Sequence, residues 1–399
     1  MKKLIKLLFA IIALLVVVAL FNLNTIKRVY KAIHFFDEDV IIDNFRNADA
    51  NYPVNRLTPA SQPYVIEQAD TSFTLPAHFN FKNEQINTQA FLEQNRLEGI
   101  MIIKDDKVVL EEYKLGFTPD DTHIGWSLSK SVVSALLGIA YHDGLFELDA
   151  PITQYLPQFK GTGYDNVKIK NLLQMSSGVG FNEDYGDFHS DINRFGRTFA
   201  FGKSFEDFAL TLKNEKPQGT YNQYVSIDTQ VLGMLLTKVT GMGLTEYYQQ
   251  KLWEPLGMQD HGEWIIDETG MEMALGGLNM TMRDYAKIGL LYLHQGKLNG
   301  QQLIPSEWVK MSTTPDAPHL MPGKRDNATR EQGYGFQWWI PVHDDGDFFG
   351  SGIYDQYIYV QPHKNLVIVT LSANHHFKTR KRGGERKHVA LFKAIADTL

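Results

Sequence analysis

The sequence predicts an α+β chain, and three observations carry this. Apolar or alternating runs bounded by turn residues occur at residues 99–113 and again after Gly333. Helical patterns fill residues 150 to about 270 between them, and a long apolar stretch opens the chain. With 399 residues the chain can bury one large core or two smaller ones. The net charge of −7 is modest and argues against general nucleic-acid binding. There is no cysteine, which excludes disulfides, thiolate metal sites and a lipid-modified N-terminal cysteine.

The elements follow in order. Lys2, Lys3 and Lys6 precede an apolar run over residues 7–23 that only Asn22 interrupts. A charged start before a stretch near the lower limit for spanning a bilayer predicts a transmembrane signal anchor at residues 1–23. No Ala-x-Ala cleavage site follows it, so an uncleaved anchor is preferred over a cleaved signal peptide. Lys27, Arg28 and Lys31 on the far side nearly balance the first three lysines, so charge does not set the orientation. Residues 24–85 read as a linker and lead-in, with residues 47–63 rich in Asn, Ala and Pro. Residues 35–45 include Phe35, Phe36 and Phe45, too aromatic for a free tether; they are expected to pack on the domain or on a membrane surface.

Residues 86–399 hold everything else. Residues 99–104 and 107–113, joined at Asp105-Asp106, predict a hairpin. Residues 204–213, 230–239 and 245–256 predict helices. Residues 356–360 and 365–372 predict paired strands, and residues 388–398 a last helix. The basic run 378–388 reads as a solvated loop, with anionic phospholipid or another envelope polyanion as the alternative contact. No internal repeat is visible.

The chemistry centres on Ser127 and Lys130, three residues apart where an apolar helix begins. Residues i and i+3 share a helical face, so the two side chains can meet without help from another element. A buried lysine is pushed toward its neutral form and can take a proton from a serine. A serine at a helix start lies beside unpaired backbone N–H groups that favour developing negative charge. The competing reading makes Ser127 a helix cap and Lys130 a solvated residue of the first turn. Other chemistries lack their motifs. Ser129 replaces the second glycine of Gly-x-Ser-x-Gly, and no His-Glu-x-x-His or phosphate loop occurs. The adjacent pair His375-His376 points its side chains apart, so neither a metal nor a cofactor is expected.

Two later segments complete a pattern: Tyr224-Val225-Ser226 and Gly350-Ser351-Gly352-Ile353. In this order the three motifs resemble those of the serine β-lactamase and penicillin-binding-protein superfamily. More narrowly they look like its class C-like branch, with the aminohexanoate-oligomer (nylon-oligomer) hydrolases and related esterases. Residues 144–157, 169–178, 276–281 and 334–339 support the likeness, which covers about residues 85–399.

The resemblance implies a β-lactamase/transpeptidase-like fold: an antiparallel sheet flanked by helices, with a mainly helical insertion at about 150–270 and the active site in the cleft between. It implies Ser127 as acylated nucleophile and Lys130 and Tyr224 as general base and acid. A nearby lysine cation is expected to lower the Tyr224 pKa. The backbone N–H groups of Ser127 and Ile353 are implied as the oxyanion hole, with Ser226, Ser351, Gly352 and Tyr354 as substrate-binding residues. Three departures bear on the substrate. Ser351 stands where many relatives carry Lys or His, so no cation is expected at the third motif, which argues against β-lactams and D-Ala-D-Ala termini. Ser226 replaces a common asparagine, and Asp355 stands where the branch often has glycine. The expectation is a serine hydrolase for a small-molecule ester or amide. It needs no cofactor, metal or nucleic acid, and is anchored in the cytoplasmic membrane with its catalytic domain periplasmic. The alternatives are a β-lactamase or D-Ala-D-Ala carboxypeptidase-type enzyme, and a catalytically silent binding or sensor protein.

Overall fold

The computed structural model of the chain describes residues 2–343, 345–377 and 384–399. Its centre is a seven-stranded antiparallel sheet built from β1 (Leu97–Lys104), β2 (Lys107–Tyr113), β3 (Gly333–Tyr334), β4 (Trp339–Ile340), β5 (Phe348–Gly352), β6 (Gln356–Gln361) and β7 (Leu366–Ser372). The order across the sheet is β3-β4-β5-β6-β7-β1-β2. The first hairpin turns at Asp105 and Asp106, with φ of 50° and 64°. Two left-handed residues in a two-residue loop match the twist of the strands, and Asp tolerates that backbone better than most side chains.

The central strands are buried on both faces, which is why they read as apolar runs. Side chains alternate along β6. Ile358 faces helix Met282–Leu293, where a Cβ added at Gly289 would meet Val367 Cγ1 at 2.5 Å and Ile358 Cγ2 at 3.1 Å. That glycine lets the helix lie directly on the sheet. Tyr357 and Tyr359 point the other way, onto Phe392 of helix Gly384–Thr398, with ring centroids 5.5 and 5.4 Å apart. A second antiparallel sheet joins Val54–Leu57, Gly262–Ile265, Leu278–Thr281 and Thr122–Ile124 in that order. Its last strand delivers the chain to Ser127.

The helical region is more broken than its periodicity suggests. Residues 204–213 form only helix Phe205–Ala209, because Leu212 and Lys213 give their carbonyls to Gly163 and Gly180 instead. Residues 245–256 divide into Leu244–Tyr248 and a π-helical turn Gln249–Trp253. The helix expected at 230–239 starts earlier and runs Ser226–Thr240.

The N-terminus corrects one expectation. Lys2–Phe21 is a helix, but no helix among the described residues is long and apolar enough to cross a membrane. Three lysines occupy its first turns, and the uncharged residues 7–21 extend about 22 Å at 1.5 Å per residue. A bilayer's hydrocarbon core is about 30 Å thick. The expected transmembrane anchor, and membrane attachment through it, therefore do not stand.

The lead-in is folded into the rest. Phe35, Ile41, Phe45 and Ala48 are fully buried, and strand Val54–Leu57 pairs with Gly262–Ile265. Of the basic run, residues 378–383 lie outside the described residues. Arg386 pairs with Glu331, and His388 is buried under Phe91 and Tyr357.

Candidate active site

The site is assembled where the second sheet meets the central one. Strand Thr122–Ile124 ends at Gly125, whose N–H donates to Leu278 O at 3.0 Å. A Cβ at Gly125 would sit 2.3 Å from the Tyr285 hydroxyl, so only glycine fits beneath that ring. Trp126 then takes a left-handed backbone with φ of 47°. This turns the chain sharply into helix Leu128–His142, with Ser127 at its mouth. Ser129 Oγ pins the turn by donating to Trp126 O at 2.7 Å while accepting from Leu278 N–H at 3.1 Å.

Ser127 is partly exposed and its side chain makes no capping bond. Lys130 is 1 % exposed, and its Nζ donates to Ser127 Oγ at 3.0 Å and to Leu275 O. Burial pushes its ammonium pKa down to about 7, against the pull of Glu183. The cap-and-solvated-lysine reading therefore fails on both residues.

Tyr224 packs its ring on Lys130 Nζ at 5.2 Å and stacks on Trp339 at 5.3 Å. Burial first, and the Glu183 carboxylate second, drive its pKa up, with Ser127 and Arg330 opposing in part. The expected lowering is thus reversed. A lysine that is itself near neutrality offers little positive charge, and a carboxylate lies close by. Tyr224 is a protonated phenol across the neutral pH range.

Glu183 was not singled out from the sequence. It sits in a loop with no periodic signal and reaches the site through tertiary contacts alone. Its carboxylate accepts from Ser226 Oγ at 2.6 Å, from Ser226 N–H at 3.2 Å and from the Tyr185 hydroxyl at 2.8 Å. Ser226 is fully buried at the start of helix Ser226–Thr240, so it holds Glu183 rather than facing an open cleft.

The third motif lies against the Ser127 turn. A Cβ at Gly352 would meet Gly125 O at 2.3 Å, and one at Gly350 would meet Leu128 Cδ2 at 3.1 Å. β5 and β6 pair as far as Gly352 and Gln356, leaving Ile353, Tyr354 and Asp355 as the turn. Neither the Ser127 nor the Ile353 backbone N–H has a protein acceptor among the described residues. Tyr354 and Asp355 have φ of 65° and 74°. Asp355 manages the conformation that glycine takes freely by burying a bonded carboxylate. Asn374 Nδ2 donates to it at 2.8 Å and the Tyr357 hydroxyl at 3.3 Å. Tyr354 is 1 % exposed, with its ring among Phe36, Phe45 and Phe377, so it too is set back from an open cleft.

Ser351 is partly exposed and donates to Glu385 Oε2 at 3.4 Å. A cation does reach this place, from a loop rather than the motif. The exposed Arg330 guanidinium lies 5.7 Å from the Tyr224 ring and 4.9 Å from the Trp339 ring. It pairs with Glu385 at 3.2 Å. Its 21-residue separation from Ser351 hid it from motif reading.

The chain is similar to several known proteins. A 6-aminohexanoate-dimer hydrolase of Paenarthrobacter ureafaciens is 28% identical over 328 residues, covering 80% of this chain and 81% of that protein. A Bacillus anthracis structure assigned as a 6-aminohexanoate-dimer hydrolase superposes with a TM-score of 0.81 at 22% identity, covering 91% of this chain and 95% of its own. A class C beta-lactamase superposes with a TM-score of 0.57 at 17% identity, covering 78% and 95%. At those identities the two structures speak to the fold. The sequence profile of the beta-lactamase family matches residues 87–391. The chain therefore belongs to the beta-lactamase family and is a serine hydrolase of that type.

Proposed function

We propose that the protein cleaves an amide or ester bond through an acyl-enzyme on Ser127. The observation that carries this is the buried Lys130, with a pKa near 7 and its Nζ 3.0 Å from Ser127 Oγ. Neutral Lys130 takes the hydroxyl proton as Ser127 Oγ bonds to the substrate carbonyl carbon. The oxyanion that forms is held by the backbone N–H groups of Ser127 and Ile353. Tyr224, protonated, gives its hydroxyl proton to the leaving nitrogen or oxygen and recovers one from Lys130. The scissile bond breaks, releasing an amine or alcohol. Water then attacks the ester carbonyl, gives a proton through the same pair, and frees the acid and Ser127.

Short linear amides of ω-amino acids lead the substrate list, because the relative covering four-fifths of the chain is named for such a dimer. A second reading, a β-lactamase or carboxypeptidase-type enzyme, draws on Arg330, a cation able to meet a substrate carboxylate. Its charge is already matched by Glu385, which favours the first reading. Turnover of 6-aminohexanoate dimer, p-nitrophenyl acetate and nitrocefin by one preparation separates the two. Amide and ester hydrolysis without nitrocefin hydrolysis is expected. Nitrocefin turnover exceeding both transfers the assignment to the second reading.

A further inference from the structure

The two implied oxyanion donors share an unusual setting. Ser127 directly follows Trp126, and Ile353 directly precedes Tyr354. Both flanking residues are bulky aromatics with positive φ, 47° and 65°. Such backbones are strained and persist only where the surroundings over-determine them. What surrounds them comes from the lead-in. Phe36 stacks on Tyr354, with centroids 5.0 Å apart and planes 8° from parallel, and lies 5.6 Å from Trp126. Phe45 meets the same two rings at 5.2 and 5.5 Å. Phe35 adds an edge contact to Trp126 at 6.0 Å.

The lead-in is itself fastened close by. Arg46 Nε donates to Glu98 at 2.6 Å and Arg46 Nη2 to Leu115 O at 2.9 Å. Glu98 is fully buried and also meets His123 Nε2 at 3.2 Å, on the strand that leads into the nucleophile turn. Thr122 Oγ1 donates to Arg46 O at 3.1 Å on that same strand.

We propose that Phe36 and Phe45 of the lead-in are positioning residues that clamp Trp126 and Tyr354 and so aim both oxyanion-hole N–H groups. This inference rests on the acyl-enzyme reading above. The Ser127–Lys130 contact comes from i, i+3 spacing at the start of one helix and uses no residue of the clamp. Removing the clamp therefore impairs transition-state stabilisation while proton abstraction is kept.

The test uses the full chain and a fluorophosphonate probe, with p-nitrophenyl acetate turnover in parallel. Phe36 is partly exposed, so its truncation is tolerable. Phe36→Ala is expected to lower the labelling rate at Ser127 and kcat by about tenfold each, with KM within about twofold. The limb of the pH–rate profile set by Lys130 stays in place. Phe36→Tyr, which keeps the ring, restores the rate. Phe36→Leu keeps most of the apolar volume and falls between; it decides the matter if the alanine variant does not fold. Tyr30→Ala removes an exposed ring from the same segment and reacts as wild type does. A Phe36→Ala or Phe36→Leu protein that melts lower yet reacts at the wild-type rate overturns the clamp and leaves the hydrolase reading intact. Failure of wild type to label at Ser127 overturns the hydrolase reading, and the clamp with it.

Discussion

Lys130 Nζ lies 3.0 Å from Ser127 Oγ, and packing against Leu275 O and the Tyr224 ring keeps Lys130 out of water. Local spacing supplies the contact, and burial supplies the basicity. Its pKa near 7 makes the neutral amine available in the physiological range.

The pH dependence of activity follows. A base must be unprotonated to act, so kcat/KM for an ester is expected to rise through about pH 7 and level off above it. Lys130→Ala is expected to lose both the limb and most of the rate, on the order of 10³-fold or more. A flat profile between pH 5.5 and 8.5 in wild type contradicts this role for Lys130.

Stability also rises with pH, over a higher window. The folded pKa of Lys130 is lowered, so the unfolded chain binds more protons between about 7 and the ordinary lysine value. Wild type gains stability as pH rises through that window, and its penalty is full below pH 7. Lys130→Met is expected to be more stable by a few kcal/mol at pH 6, with the gap closing toward pH 10. Thermal melts of both proteins across that range give the measurement, and a gap that widens with pH contradicts it.

Glu183 raises the pKa of both Lys130 and Tyr224. Glu183→Gln is expected to move the activity limb to lower pH by up to about one unit. A limb that moves upward, or stays fixed, shows that the carboxylate does not act on Lys130 electrostatically.

Gly352 leaves no room for a side chain, since a Cβ there meets the Gly125 carbonyl at 2.3 Å. Backbone cannot yield as a flexible side chain does. Gly352→Ala is expected to push β5 off the nucleophile turn and lower kcat/KM by about 10²-fold with the fold retained. Circular dichroism and ester kinetics on the same sample test this.

The parts legible in the sequence are those that local rules govern. Ser127 and Lys130 needed only helical spacing, and the first hairpin needed only two short runs joined at Asp105-Asp106. Glu183 and Arg330 were not legible, because loops with no period bring them to Ser226 and Tyr224 through tertiary contacts. The phenylalanines of residues 35–45 stood out by composition, but their partners Trp126 and Tyr354 lie far along the chain. Apolar content alone overstated the first helix, since three lysines shorten the stretch that a bilayer would need to hold. The sign of the Tyr224 shift turned on Glu183 and on burial, which only the folded chain shows.

The most direct test of the acyl-enzyme is the intact mass of the full-length chain after exposure to a fluorophosphonate, for wild type beside Ser127→Ala and Lys130→Ala. A single adduct mapped to Ser127 in wild type is expected, absent from Ser127→Ala and much slower in Lys130→Ala. An unmodified wild-type mass in folded protein, or an adduct that persists in Ser127→Ala, contradicts catalysis through Ser127.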